Sequence, residues 1–299
     1  MSIKIGNAPC SWGVEFANDP RNPSWQSVLD ECRDAGFNGI ELGPIGFLPE
    51  DKSELGDALS SRDLDLIGTT FFQPFHDASS WKQLKEQAIR SCKSLQAHGA
   101  KHFVLIDSIS DRRAMTAGRA CEAEQMSAQE FRDFIERIRT VCKIGTEEYG
   151  LTTSIHPHAG GFLDFRPETE NLLEEIDESL MGICLDTGHA HYAGFDLADF
   201  MNQHMERIVY MHFKDIDPKI KQSVIDNRTG FYDACGQGIF CKLGQGEVDF
   251  KRVKQKLSSS NFSDWCTIEQ DCDPTLANTS PIDDAKLNRQ YLESIGFST

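Results

Sequence analysis

Short apolar runs rich in β-branched residues recur along the chain, and stretches whose apolar positions follow helical spacing lie between them. The runs predict eight strands, at Ile3–Ala8, Gly39–Leu42, Asp65–Phe71, His102–Asp107, Leu151–His156, Met181–Asp186, Ile208–Phe213 and Trp265–Glu269. Helices are expected at about 24–35, 50–61, 79–97, 127–149, 168–178, 196–203, 250–258 and 281–295. Ser24, Ser127 and Asp249 are N-cap types at three of the starts, and Gly36, Gly99 and Gly150 stand where a helix would end.

Strands alternating with helices predict a parallel sheet covered by helices, and eight repeats is the number at which such a sheet closes into a (β/α)8 TIM barrel. We therefore expect an α/β fold with residues 1–299 in one barrel domain. A doubly wound sheet would carry a glycine-rich first turn, but the first strand leads into Asn7-Ala8-Pro9-Cys10-Ser11-Trp12-Gly13. Two connections are long, at about 108–126 and 214–248. Both follow a strand's C-terminal end, the face on which barrels build active sites, so both read as loops covering a substrate. The second holds Lys214, Lys219, Lys221, Arg228 and four glycines (Gly236, Gly238, Gly244, Gly246), which suggests either a mobile, locally less acidic lid or an ordinary surface excursion.

Composition narrows the partners. With 30 Lys+Arg against 47 Asp+Glu, the net charge is −17, so a broad basic face for nucleic acid or an anionic membrane is not expected. No run is long and apolar enough for a membrane helix and the start lacks an apolar signal core, which predicts a cytoplasmic protein. The ten cysteines are scattered, without a Cys-x-x-Cys pair, and read as free thiols used as small hydrophobes.

In a barrel, the polar residues that end the strands converge on one rim. Here that rim collects Glu41, Gln73 and His76, Asp107, His156 and His158, Asp186 and His189, His212, Lys214 and Asp215, and Glu269 with Asp271. Imidazoles and carboxylates without cysteine suit an open catalytic centre for a divalent ion rather than a closed zinc site. His156, Asp186, His212 and Glu269, from four adjacent strands, are the expected ligands. Mn2+ or Co2+ is the first expectation, with Mg2+, Fe2+ and Zn2+ as the other ions to test. Trp12, Phe71, Phe72, Phe75 and Phe162 offer an apolar wall for a sugar ring, although aromatics beside barrel strands more often belong to the core. The acidic stretch 168–178 reads as a solvated helix face.

The motifs resemble those of the xylose isomerase-like barrel superfamily, and within it the inosose (2-keto-myo-inositol) dehydratases. The resemblance runs nearly end to end through Ile5-Gly6-Asn7-Ala8-Pro9-Cys10-Ser11-Trp12-Gly13, Gly39-Ile40-Glu41-Leu42-Gly43-Pro44 with Leu48-Pro49, and His156-Pro157-His158. It continues through Leu185-Asp186-Thr187-Gly188-His189, His212-Phe213-Lys214-Asp215, Leu243-Gly244-Gln245-Gly246-Glu247-Val248-Asp249-Phe250 and Ile268-Glu269-Gln270-Asp271. Asp-Thr-Gly-His, His-x-Lys-Asp and the final Glu identify the scaffold, whereas Glu-Leu-Gly-Pro and His-Pro-His point to the dehydratase branch. Sugar epimerases of the superfamily have a Glu at the end of strand five as well as strand eight. This chain has His156 there, which breaks the two-base symmetry of epimerisation and favours a lyase.

The expected reaction is metal-assisted loss of water from a cyclic polyhydroxy ketone, with a small keto-sugar or polyol as partner. Glu269 or a nearby imidazole would take the proton, and His76, His158, His189 and Lys214 are candidates for the acid. Trp12, Glu41, Gln73 and His189 are the expected substrate contacts, with Glu41 alternatively orienting a ligand. A sugar isomerase or epimerase is the runner-up. A 3-dehydroshikimate dehydratase would need a basic pocket, for which Arg112, Arg113 and Lys214 are at hand. A metal-dependent endonuclease shares the fold, but the net charge and the few rim histidines count against it. Barrels of this superfamily commonly pair, which leaves room for a homo-oligomer.

Overall fold

The computed structural model describes residues 3–271 and 280–297. The strands are β1 (Lys4–Asn7), β2 (Gly39–Ile40), β3 (Asp65–Leu66), β4 (Gly68–Gln73), β5 (His102–Asp107), β6 (Thr152–Ile155), β7 (Gly182–Asp186), β8 (Ile208–Phe213), β9 (Asp215–Ile216), β10 (Phe240–Cys241) and β11 (Trp265–Ile268). Nine of them form one parallel sheet in the order β3-β2-β1-β11-β8-β7-β6-β5-β4. Its two ends, β3 and β4, are halves of the single strand expected at 65–71, separated by Ile67. The Ile67 N–H still donates to Ile40 O, its carbonyl accepts from His102 N, and Leu42 N donates to Gly68 O. The broken strand thus touches both neighbours, and the sheet closes into an eight-staved barrel.

The surrounding helices are α1 (Trp25–Asp34), α2 (Lys52–Ser60), α3 (Trp81–Ala97), α4 (Ala128–Lys143), α5 (Arg166–Glu175), α6 (Thr187–Tyr192), α7 (Leu197–His204), α8 (Pro218–Asp226), α9 (Phe231–Gly236), α10 (Phe250–Ser258) and α11 (Pro281–Ser294). Ser24, Ser127 and Asp249 cap α1, α4 and α10 by accepting a backbone N–H, as their residue types predicted. Gly36 and Gly99 follow α1 and α3 with φ of 93° and 72°, the left-handed conformation that lets the chain turn into the next strand. The strands β5 and β8, His-Phe-Val-Leu-Ile-Asp and Ile-Val-Tyr-Met-His-Phe, are buried on both faces, as a helix-covered parallel sheet requires.

Alternation along the strands sorts side chains into two cores. Phe103, Leu105, Ile155, Leu185, Met211, Phe213 and Ile268 face the helices in one large cluster. Ile67, Val104, Ile106, Cys184 and Tyr210 fill the barrel's interior. Because side chains two apart share a face, Cys184 and Tyr210 place Asp186 and His212 in the same interior, one layer nearer the rim. The register pairs Asp186 with His212 directly.

The two long connections are built rather than open. Within 108–126, Arg113 is 1% exposed and donates to both oxygens of Glu168 at 2.9 and 3.1 Å and to Glu124 O at 3.0 Å. The acidic stretch expected to be solvated thus contributes Glu168 to a buried ion pair. The 214–248 connection, read as a lid or a surface excursion, contains α8, α9 and the antiparallel pair β9–β10. Asp215 ties this excursion together: Oδ1 accepts the N–H groups of Ile216 and Val248, and Oδ2 those of Gly244 and Gly246, all within 2.8–3.1 Å. A Cβ on Gly246 would lie 2.3 Å from Asp215 Oδ1, so the Gly-Gln-Gly segment can close on the carboxylate only because it lacks side chains there. Among the described residues, no helix is long and apolar enough to cross a membrane.

Candidate metal centre and active site

At the C-terminal rim, one donor atom from each of His156, Asp186, His212 and Glu269 lies within 4.8 Å of the others, and all four residues are buried. His156 follows β6, Asp186 and His212 lie on β7 and β8, and Glu269 follows β11. The sequence pattern brought these four together, and the barrel delivers them from four adjacent staves. Both nitrogens of His156, Asp186 Oδ2 and His212 Nδ1 are buried without a hydrogen-bond partner. Leaving a buried polar atom unpaired costs about 1–3 kcal/mol. Orphaned atoms from three residues of the group therefore fit a cation that would occupy the gap between them. His156 Nε2 is 3.5 Å from Asp186 Oδ2, and His212 Nδ1 is 3.2 Å from Glu269 Oε2.

The Asp-Thr-Gly-His segment has a local reason for each residue. Asp186 Oδ1 caps α6 by accepting the His189 N–H at 2.7 Å, which fixes the carboxylate and leaves Oδ2 for the centre. Thr187 Oγ1 donates to Lys214 O and accepts from Lys214 N, clamping the end of β8 to the start of α6. Gly188 makes room, since a Cβ there would sit 2.8 Å from the Lys214 side chain.

Lys214 is 2% exposed and sits among carboxylates. Its Nζ is 3.0 and 3.1 Å from the two oxygens of Asp271, 3.4 Å from Glu269 and 3.9 Å from Asp186, and it lies 4.9 Å from the Phe240 ring centre. Burial works against the charge, but Asp271, Asp186 and Glu269 raise the ammonium well above its usual range. The same contacts act on the acids. Burial opposes ionisation of Glu269 and Asp186, and the surrounding cations hold both below the ordinary carboxylate range.

His158 is the other chemically open group. Its Nδ1 pairs with the Ala159 carbonyl at 2.9 Å, which makes Nδ1–H the donor and leaves the lone pair on Nε2. Burial, with His156 next to it, pushes its imidazolium down to about 3, so the ring is neutral. The ring packs on His189, Phe72 and Phe231. His189 accepts the Ala159 N–H at Nδ1 and places Nε2 3.2 Å from Lys214 Nζ.

Other expected site residues take different places. Glu41 is fully buried, with Oε1 2.9 Å from both His212 Nε2 and the Tyr210 hydroxyl. It is thus engaged with His212 and Tyr210 inside the barrel rather than open at the rim. Trp12, expected to contact substrate, is 2% exposed, and its Nε1–H donates to Glu31 on α1. It packs the first loop onto that helix. His76 pairs with Asp107 at 2.8 Å and stacks near Phe162. Asp107 shares its strand face with Phe103 and Leu105, so this pair lies toward the helix layer, away from the four-residue cluster. Gln73 is half-buried at the end of β4, and its side chain makes no hydrogen bond within the described residues. Of the expected aromatic wall, Phe71 and Phe75 are core residues in contact with each other, Phe162 lies against His76, and Phe72 packs on His158 beside the four-residue cluster. Phe231 and Phe240, from the 214–248 excursion, complete the wall against His189.

The profile of the xylose isomerase-like TIM barrel family matches residues 29–296. The chain belongs to that family. An inosose dehydratase of Bacillus velezensis is 30% identical over 98% of this chain and 97% of its own length. Two solved structures share the family's barrel. A probable 3-DHS dehydratase, AsbF of Bacillus anthracis, superposes with a TM-score of 0.73 at 18% identity, covering 97% of this chain and 99% of its own. The IOLI protein, solved with a bound zinc atom, gives 0.74 at 14% identity and covers 98% of each chain.

Proposed function

We propose that the chain is a divalent-metal-dependent dehydratase, a carbon–oxygen lyase that removes water from a cyclic polyhydroxy ketone such as 2-keto-myo-inositol. The observation that carries this reading is the asymmetry of the centre. On one side stands the His-Pro-His segment with its neutral His158 ring, and on the other the Glu269 carboxylate beside a charged Lys214. The full-length similarity to an inosose dehydratase supports the same assignment.

His156, Asp186, His212 and Glu269 would hold the ion, with Mn2+ and Co2+ favoured for this mix of nitrogen and oxygen donors. When bound, a divalent ion supplies Lewis acidity to the ketone and neighbouring hydroxyl oxygens. His158 Nε2 accepts the proton from the carbon next to the ketone. The buried Lys214 ammonium donates a proton to the departing hydroxyl, so that the C–H and C–O bonds break and water leaves. Phe72, Phe231 and Phe240 keep bulk water from the ring, whereas Gln73, the register partner of Asp107, lies on the helix-facing side with Phe71.

A neutral substrate fits better than an anionic one. The cations considered for a basic pocket are all engaged: Arg112 with Glu124 and Glu130, Arg113 with Glu168, and Lys214 with Asp271. Incubation with 2-keto-myo-inositol, followed by ultraviolet absorbance for a conjugated dione, tests the proposal. Growth of that band is expected. Interconversion of a ketohexose in a parallel reaction, with no band from the inosose, would give the case to an epimerase.

A further inference from the structure

Beneath the four ligands lies a buried polar layer that the proposed reaction does not use. Ser154, Cys184, Tyr210 and Thr267 stand two residues before His156, Asp186, His212 and Glu269, and hence one layer deeper on the same inward face. Tyr210 and Thr267 are joined by a short hydroxyl contact, and Tyr210 O–H donates to Glu41 Oε1 at 2.9 Å. The same oxygen lies 2.9 Å from His212 Nε2, while Glu41 Oε2 has no hydrogen-bond partner. All these side chains are fully buried.

Proton placement follows from this geometry. A carboxylate only accepts, so His212 carries its proton on Nε2 and directs it at Glu41. Nδ1, 3.2 Å from Glu269 and without a hydrogen-bond partner, is then the nitrogen left for a cation, to which it would turn its lone pair. Tyr210 holds the carboxylate from below, so Glu41 cannot swing toward the rim without breaking two bonds. A carboxylate behind a ligating imidazole both fixes the tautomer and raises the basicity of the free nitrogen.

We infer that Glu41, seated on Tyr210, is a positioning residue that sets His212 to bind the metal through Nδ1 and strengthens that bond. This rests on the four-residue metal centre proposed above. The experiment separates the two. Metal-free full-length protein is titrated with Co2+, and the visible absorption of the bound ion reports both affinity and ligand environment. Absence of Co2+ binding by the unaltered chain overturns the metal centre and this inference with it. If the unaltered chain binds, Glu41→Gln, which keeps an acceptor of the same shape but loses the charge, is expected to weaken Co2+ about 10-fold and to shift the band. Glu41→Ala is expected to weaken it by up to about 100-fold. A purely structural Glu41 would lower the melting temperature and leave Co2+ affinity and spectrum unchanged. That result in Glu41→Gln overturns the inference, and it is decisive even if Glu41→Ala does not fold.

Discussion

Replacing Lys214 by Met removes a buried cation of similar length and leaves its acidic neighbours in place. Asp271 and Glu269 oxygens lie 3.0 and 3.4 Å from Nζ. At an effective dielectric of about 20, each attraction has a gross value of about 5 kcal/mol. Part of this offsets the desolvation of Lys214, so the net cost of breaking the cluster in metal-free protein is about 3–5 kcal/mol. A bound divalent ion would give Glu269 and Asp186 another partner and leave only Asp271, which is 22% exposed and partly solvated. The cost should then fall below about 2 kcal/mol. Urea unfolding of both proteins, with chelator and with saturating Co2+, measures the difference. A loss under about 1 kcal/mol without metal, as for a surface pair, would refute the reasoning. So would a loss of the same size with and without the ion.

Three further outcomes follow from single contacts. His158→Phe keeps the stacking on His189 and removes the proton acceptor, so kcat should fall by about 10²-fold or more with Co2+ affinity retained, and near-normal turnover would exclude His158 as the base. Burial raises Asp164 to about 7, so the folded chain holds this proton more tightly than the unfolded one, and stability declines as pH rises from about 4 to about 7. Asp164→Asn can still accept the Gly160 N–H and should therefore stabilise the protein by a few kcal/mol at pH 8 but not near pH 4 in urea melts; an equal effect at both would contradict the assignment. Asp215→Ala removes the acceptor of four backbone N–H groups and should cost about 3 kcal/mol or more and open 214–248 to limited proteolysis, whereas an unchanged cleavage pattern would mean the excursion is held by other contacts.

Much of the barrel is legible in the sequence because both faces of its strands are buried. The bounds of β5 and β8 match the expected His102–Asp107 and Ile208–Phe213, where continuous apolar runs leave little choice. The break at Ile67 was not visible, because it depends on sharing hydrogen bonds between two neighbouring staves rather than on local preference. The helices α8 and α9 were missed for a different reason. Glycines and lysines mask a short amphipathic pattern there, and the Asp215 staple that orders it is a contact across about thirty residues of sequence.

The four-residue cluster was readable because each member ends an apolar strand. Their support was not, although the signal was present. Tyr210-x-His212 and Thr267-x-Glu269 place a hydroxyl one layer under a ligand by the period of two. That reading would have turned Glu41 inward to a ligand instead of outward to substrate. Trp12 and His76 were misplaced because position near a strand end does not say which side of the wall a loop residue takes. Asp271 was read at the rim with Glu269 but without a role; its bidentate contact with Lys214 becomes visible only when β8 and β11 lie side by side.

Turnover of 2-keto-myo-inositol, measured against equivalents of Co2+ or Mn2+ returned to chelated protein, bears most directly on a metal-dependent elimination at the His156–Asp186–His212–Glu269 centre. Water loss should be absent without metal, rise linearly to one equivalent per chain and then level off. Undiminished turnover by metal-free protein would contradict it.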